Sequence, residues 1–252
     1  MRVLFTDVIE RLLARLYQRP ALDGLQLFRY YSYRPDYVER TLARVKEISA
    51  AEDGGRIKIE GIGDTFPHPG GLYDRMDSLL AEEPADVPCA WIHGDLNLAN
   101  ILRDATGNTW MIDYYWTRIG HAWQDIAKLE NDLKFIILKP GHDDALTGAV
   151  AWERHLIAHA DLAVPLAPLP DALARDPDLA RLHVAISLLR QLAGSLALEA
   201  GQQPPLFPRP YWIAQLRYSA HTLGFDECNV RQQRHALAST CLLAEAILGR
   251  SA

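Results

Sequence analysis

Three polar side chains near the middle of the chain have the types and spacing for phosphoryl chemistry. They are Asp95, Asn100 five residues later, and Asp113 thirteen residues beyond that. Magnesium is a hard cation that takes oxygen ligands, usually one or two carboxylates completed by phosphate oxygens and water. Asn100 and Asp113 can supply the protein's share of that shell. Asp95 is then left to orient an acceptor hydroxyl and take its proton. Such roles require the three side chains to converge. Thr106-Gly-Asn108 lies between two short apolar runs, Ile101-Leu102 and Trp110-Met-Ile112, which is a hairpin signal. A hairpin there brings Asn100 and Asp113 to one end.

The flanking elements read mostly as amphipathic helix. Ile9, Leu13 and Leu16 fall at helical spacing behind a capping pair, Asp7 and Glu10. A second helix is predicted from Asp36 to about Ala50, with Val38, Leu42 and Val45 as its apolar stripe and Asp36 with Glu39 as its capping box. Arg56-Ile-Lys-Ile-Glu60 alternates like a strand, Gly71 to Glu83 reads as a helix, and Pro84 to Pro88 as a connector before the apolar run Cys89-Ala-Trp-Ile92. From Asp143 onward the pattern is helical. Leu182, Ile186, Leu189 and Leu196 mark one buried helix, Leu237, Cys241, Ala244 and Leu248 another, with proline-rich breaks over 165–170 and 204–210. The expected fold class is mainly α with a small β-hairpin (α+β). It forms one domain over 1–252, divided into leading helices and loop (1–88), the hairpin region (89–135) and a helical subdomain (136–252).

Composition bounds the rest. With 252 residues, 49% hydrophobic and 23% charged, the chain is neither a disordered tail nor a fibre. The apolar stretch Leu182–Leu198 is interrupted by Arg190 and Gln191, so no run reaches the ~18 residues of a membrane helix. A formal net charge of −6 gives no bulk attraction to nucleic acid or anionic lipid. The cysteines Cys89, Cys228 and Cys241 are odd in number and widely spaced, which excludes a zinc ribbon and a disulfide scaffold. They fit a reducing, cytoplasmic setting.

Several other residues invite functional readings. Gly61-x-Gly63 follows a strand but lacks a third glycine, and reads as a plain turn. His155 and His159 lack the glutamate of a His-Glu-x-x-His zinc site. A metallophosphatase reading of His93-Gly-Asp95 fails because Gly141-His-Asp-Asp144 supplies no second His. Asn97 either touches phosphate or bonds the loop backbone. Lys128, Glu130 and Asp132 read as a solvated helix face. Tyr114, Tyr115, Trp116 and Trp123 read as core more readily than as an acceptor pocket.

The segment Ile92-His-Gly-Asp-Leu-Asn-Leu-Ala-Asn-Ile-Leu102, with Met111-Ile-Asp-Tyr114 and Gly120-His-Ala-Trp-Gln-Asp-Ile-Ala127, resembles the aminoglycoside phosphotransferase and choline kinase family of protein-kinase-like folds. The resemblance is specific over Trp91 to about Leu133. It implies that Asp95 is the catalytic base, that Asn100 and Asp113 hold Mg²⁺ with ATP as phosphoryl donor, and that His93 and Asp125 support the loop. The partners it implies are a nucleotide and a hydroxyl-bearing small molecule or partner protein. Phe66-Pro-His-Pro69 and Asp125-Ile-Ala-Lys-Leu-Glu130 also look like the kinase-like ternary-complex-associated domains of bacterial conflict systems. The chain departs from the two-lobed pattern. Only 94 residues precede Asp95, they read as helices, and they carry no Val-Ala-Ile-Lys-like strand. The expectation is therefore the C-terminal lobe of a protein-kinase-like fold without its N-terminal sheet lobe. The alternative function is a catalytically inactive pseudokinase that docks partners.

Overall fold

A computed structural model describes Leu13 and residues 16–249 of the chain. Its strands are β1 (Ala21–Leu25), β2 (Ser49–Glu52), β3 (Arg56–Ile59), β4 (Thr65–Pro67), β5 (Ala85–Ile92), β6 (Ile101–Arg103), β7 (Thr109–Met111) and β8 (Arg118–His121). The helices are α1 (Leu27–Tyr30), α2 (Pro35–Ile48), α3 (Gly70–Tyr73), α4 (Met76–Leu80), α5 (Trp123–Asp132), α6 (Asp143–Ile157), α7 (Asp171–Ala174), α8 (Pro177–Glu199), α9 (Arg209–Thr222) and α10 (Val230–Gly249). The architecture is mainly α with small antiparallel sheets. Among the described residues no helix is long and apolar enough to cross a membrane. The chain divides into two compact units. One comprises the chain up to Leu25, Ala85–Lys134 and His159–Tyr211, and the other Gln26–Pro84, Phe135–Ala158 and the chain from Trp212 onward.

In the first unit β1, β5 and β8 form an antiparallel sheet in that order, and β6 pairs with β7 as a separate hairpin. The hairpin register sets Leu102 against Trp110. Asp104 ties its turn, accepting from the N–H groups of Thr106 (2.9 Å) and Asn108 (2.8 Å). Behind the sheet α5 lies against α8. The Trp123 indole donates to the Ala193 carbonyl across 2.8 Å. The next residue on α8, Gly194, lies so close to a loop that an added Cβ would stand 2.1 Å from the Leu162 carbonyl oxygen. α8 starts at a strong cap, with Asp176 accepting from Asp178 and Leu179 N–H and Pro177 preset for the first turn.

Glu130 of α5 and Arg190 of α8, both buried, form a two-pronged pair at 2.8 and 3.0 Å. The Tyr211 hydroxyl donates to the same carboxylate at 2.8 Å, and the buried Lys134 ammonium lies 3.6 Å from it. Burial alone would raise the Glu130 pKa, but Arg190 and Lys134 outweigh it and hold the carboxyl at about 2.

In the second unit β2, β3 and β4 form a three-stranded antiparallel sheet in sequence order. Ile57, Ile59 and Phe66 from this sheet pack with Val45 of α2, Leu146 and Val150 of α6, and Leu237 and Cys241 of α10. These side chains are almost fully buried, a contiguous apolar core.

The hairpin, β3 and the helices beyond Asp143 match their sequence patterns. Other expectations are corrected. Residues 1–88 are not simply helical, since β1, β2 and β4 lie among them. β1 is exposed over four of its five positions, so no alternation marks it. β5 begins inside the stretch read as a connector, because Pro88 suggests a break yet pairs with Leu22 of β1. The helix expected over Gly71–Glu83 is two short ones, α3 and α4. α2 starts at Pro35 after Arg34, so Asp36 lies within the first turn and is not the cap. Ile9 and the Asp7–Glu10 capping pair lie outside the described residues, and Leu13 is buried.

Glu130→Gln tests the buried cluster. Losing the carboxylate removes the buried negative charge that Arg190 and Lys134 share, and urea unfolding should show a loss of about 3–5 kcal/mol. The folded-state pKa lies below the unfolded value, so this stabilisation is present above pH 4.5 and lost as pH falls toward 2. The variant should lack that share of acid sensitivity in denaturation measured across the same window.

Candidate active site

All five residues singled out by sequence lie in the first unit: His93, Asp95 and Asn100 where β5 turns into the loop that leads to β6, Asp113 just after β7, and Asp125 on α5. Gly94 makes this turn at φ +84°, and a Cβ there would stand 2.3 Å from the Trp116 carbonyl oxygen. Positive φ and close backbone approach both require glycine. The turn is gripped from α5. Asp125 Oδ2 accepts from the His93 N–H at 2.7 Å and Oδ1 from the Gly94 N–H at 2.9 Å. The Tyr17 hydroxyl donates to Oδ2 at 3.1 Å. Burial pushes the Asp125 carboxyl above the ordinary carboxylate range, and these three donated bonds oppose that rise.

Two more residues on the same stripe of α5 reach the loop. Lys128 pairs with Asp95 Oδ1, and Asp132 Oδ2 accepts from the Leu98 N–H at 2.8 Å. Asp125, Lys128 and Asp132 stand at i, i+3 and i+7, so one helix face contacts the loop at both its start and its end. Gln124 adds a bond from Nε2 to the Gly94 carbonyl at 2.8 Å. The reading of Lys128, Glu130 and Asp132 as a solvated face is therefore corrected. Glu130 and Asp132 are buried, and Lys128 is engaged by the loop.

Within the loop, the Asp95 carbonyl accepts from Asn100 Nδ2 at 3.0 Å. Asn97 turns both ends of its amide to the backbone. Its oxygen accepts from the Asn100 N–H at 3.1 Å, and its nitrogen lies 3.4 Å from the Asp95 carbonyl. The Ile112 N–H donates to the Asn100 carbonyl at 3.0 Å, which sets Asp113 immediately beyond Asn100's partner across the hairpin. His93, fully buried, lies 2.8 Å from the Ile112 carbonyl through Nε2. A carbonyl only accepts, so Nε2 carries the proton, and Nδ1 has no hydrogen-bond partner among the described residues. The imidazole thereby links the loop to the residue before Asp113.

Asp113 adopts left-handed backbone angles, φ 62° and ψ 59°, and is exposed. Its carboxylate makes no hydrogen bond or ion pair with the described residues. With the Asn100 amide nitrogen bonded to the Asp95 carbonyl, the Asn100 amide oxygen and the Asp113 carboxylate are the two side-chain oxygens that these neighbouring positions can offer a ligand. Among the described residues no cluster of three or more His, Cys, Asp or Glu side chains could hold a metal alone. Two protein oxygens do fit magnesium, which normally completes its shell with phosphate and water.

The aromatics separate into two groups. Trp123 is core, as expected, but Tyr114, Tyr115 and Trp116 are 48%, 82% and 56% exposed and line the outside of the segment after Asp113. The residues missed by sequence reasoning are Lys128 and Asp132. Their helical spacing from Asp125 was the available signal.

A family model, ternary complex associated domain 9, matches residues 37–224, and the chain belongs to that family. The match takes in the whole of the Asp95, Asn100 and Asp113 loop. No curated protein matches the chain significantly.

Asp125→Ala tests the grip on the loop. It leaves two amides and the Tyr17 hydroxyl without their acceptor, each worth about 1–3 kcal/mol when buried. Hydrogen exchange at His93 and Gly94 should speed up by at least ~10-fold, while β3 in the second unit keeps its protection. Unchanged exchange at His93 and Gly94 would show that another contact holds the turn.

Proposed function

We propose that the chain is an ATP- and magnesium-dependent phosphotransferase of the aminoglycoside phosphotransferase type, built on the C-terminal lobe of a protein-kinase-like fold. It would transfer a phosphoryl group to a hydroxyl of a small molecule or of a partner protein. The observation that carries this reading is the Ile112-to-Asn100 backbone bond, which sets Asp113 one residue beyond Asn100's partner across the hairpin, while Lys128 of α5 pairs with Asp95 on the loop that leads into it. Asp95 receives and aligns the acceptor hydroxyl and takes its proton. Asn100 and Asp113 would hold Mg²⁺, which when bound neutralises charge on the transferring group. His93 and Asp125 fix the backbone of the loop, and positioning is most of phosphoryl-transfer catalysis.

One observation is compatible with a second reading, a pseudokinase that docks partners. Large apolar side chains are exposed around the site, with Trp91 paired to Ile119 across β5 and β8, and Leu102 paired to Trp110 across the hairpin. Exposed clusters of this kind mark interaction surfaces. The family's description, with its reference to a ternary complex, is compatible with such a role.

Calorimetry with Mg-ATP on the full chain separates the two. The phosphotransferase reading expects micromolar binding that Asp113→Ala abolishes. Absence of heat at millimolar Mg-ATP would overturn it in favour of the docking module.

A further inference from the structure

We infer that Lys128 is the cation that meets the terminal phosphoryl group of the nucleotide at Asp95, an inference that rests on the phosphotransferase reading. On that reading a polyphosphate must approach two carboxylates, Asp95 and Asp113. Magnesium at Asn100 and Asp113 would compensate the Asp113 side only. On the other side a phosphoryl oxygen would approach the Asp95 carboxylate directly, and like charges at close range repel strongly in a partly desolvated site. A positive charge is needed there, and the ammonium of Lys128 is already on Asp95 Oδ1.

The placement suits a ligand-facing role. The Lys128 and Asp95 side chains keep 20% and 36% exposure, so the pair stands at the surface where a nucleotide can reach it. An ammonium is a compact point charge with three donors, so it can hold a carboxylate and still meet a phosphoryl oxygen. Asn97, the loop side chain that could otherwise meet phosphate, has both ends of its amide turned to the backbone. Arg118 also lies at the loop, with Nη1 2.8 Å from where a Gly94 Cβ would stand, but its guanidinium bonds the Trp116 carbonyl and Gln124 and makes no ion pair with Asp95 among the described residues. Electrostatic stabilisation by a fixed cation matters most where charge moves, and Asp95 is the point at which acceptor and phosphoryl group meet.

A lysine that merely pins the loop would affect every nucleotide alike, whereas one that meets the terminal phosphoryl group tells ATP from ADP. Calorimetry on the full chain with Mg-ATP and with Mg-ADP, for the parent protein and for Lys128→Met and Lys128→Arg, decides between them. The parent should bind ATP more tightly than ADP. Lys128→Met should weaken ATP by at least ~10-fold, as for loss of a charge-assisted hydrogen bond, and leave ADP within about twofold. Lys128→Arg, which keeps the charge and protects against a failure of Lys128→Met to fold, should retain part of the preference. Equal weakening of both nucleotides, or of neither, would overturn the inference and leave the nucleotide reading intact. Binding of neither nucleotide to the parent would overturn both.

Discussion

A carboxylate taken out of water must find donors, and Asp125 finds them in the turn that carries Asp95. Its two oxygens accept the consecutive N–H groups of His93 and Gly94, with the Tyr17 hydroxyl on one of them. That arrangement closes only if Gly94 takes positive φ and lets the Trp116 backbone pass close by. It also suits the position of Asp125 in the first turn of α5, where the helix dipole favours negative charge. The direction of the loop after β5 is thus set by one buried acid. Asp95 follows because it is the next residue, and Lys128 and Asp132 follow because they share the helix face.

A helix that grips a loop must itself be fixed. Glu130 lies five residues after Asp125, on a different side of α5, and its carboxylate is met by Arg190 and Tyr211. Together with the Trp123 bond to Ala193 this fastens α5 to α8 at two levels. Buried ion pairs contribute little net stability when intact, yet they penalise every arrangement that leaves a charge unmatched. Here that penalty sets the rotation of α5, which decides whether the stripe of Asp125, Lys128 and Asp132 faces the loop. The polar cluster at Glu130 makes no contact with the loop among the described residues, but it fixes where Asp95 stands.

The residue pattern made the local features legible. Thr106-Gly-Asn108 marks the hairpin because its turn chemistry is local, and the long helices after Asp143 are marked by their apolar period. Asp95, Asn100 and Asp113 stand out because their types and spacing are themselves the signal. What escaped was long-range. β1 is an exposed edge strand whose pairing to β5 leaves no alternation, and Pro88 disguises the strand it pairs with. Arg190 looked only like a break in an apolar run, since its meaning depends on Glu130 sixty residues away. Lys128 and Asp132 looked solvated because charged residues on a ten-residue helix usually are, and only the fold shows that the loop lies across that face.

Asp95 on the loop and Asp113 at the end of the hairpin carry carboxylates in opposite states, and the difference bears on which surface the protein keeps open. Asp95 is compensated by Lys128. Asp113 is not, although it stands in left-handed backbone geometry that costs a non-glycine residue about 1 kcal/mol or more. Ser32 also has positive φ, but there the turn returns backbone bonds, from Ser32 to Arg29 and from Arg34 to Ser32. The Asp113 carboxylate has no such return within the described residues. It is exposed, with Ile112 before it and Tyr114 to Trp116 after it also largely exposed. A strained acid set in an apolar surround gains nothing for the fold by staying there. Its geometry makes sense if the stabilising contact comes from outside, as an oxygen-seeking cation arriving with its own anionic ligand, and an apolar surround would then strengthen that contact by excluding water.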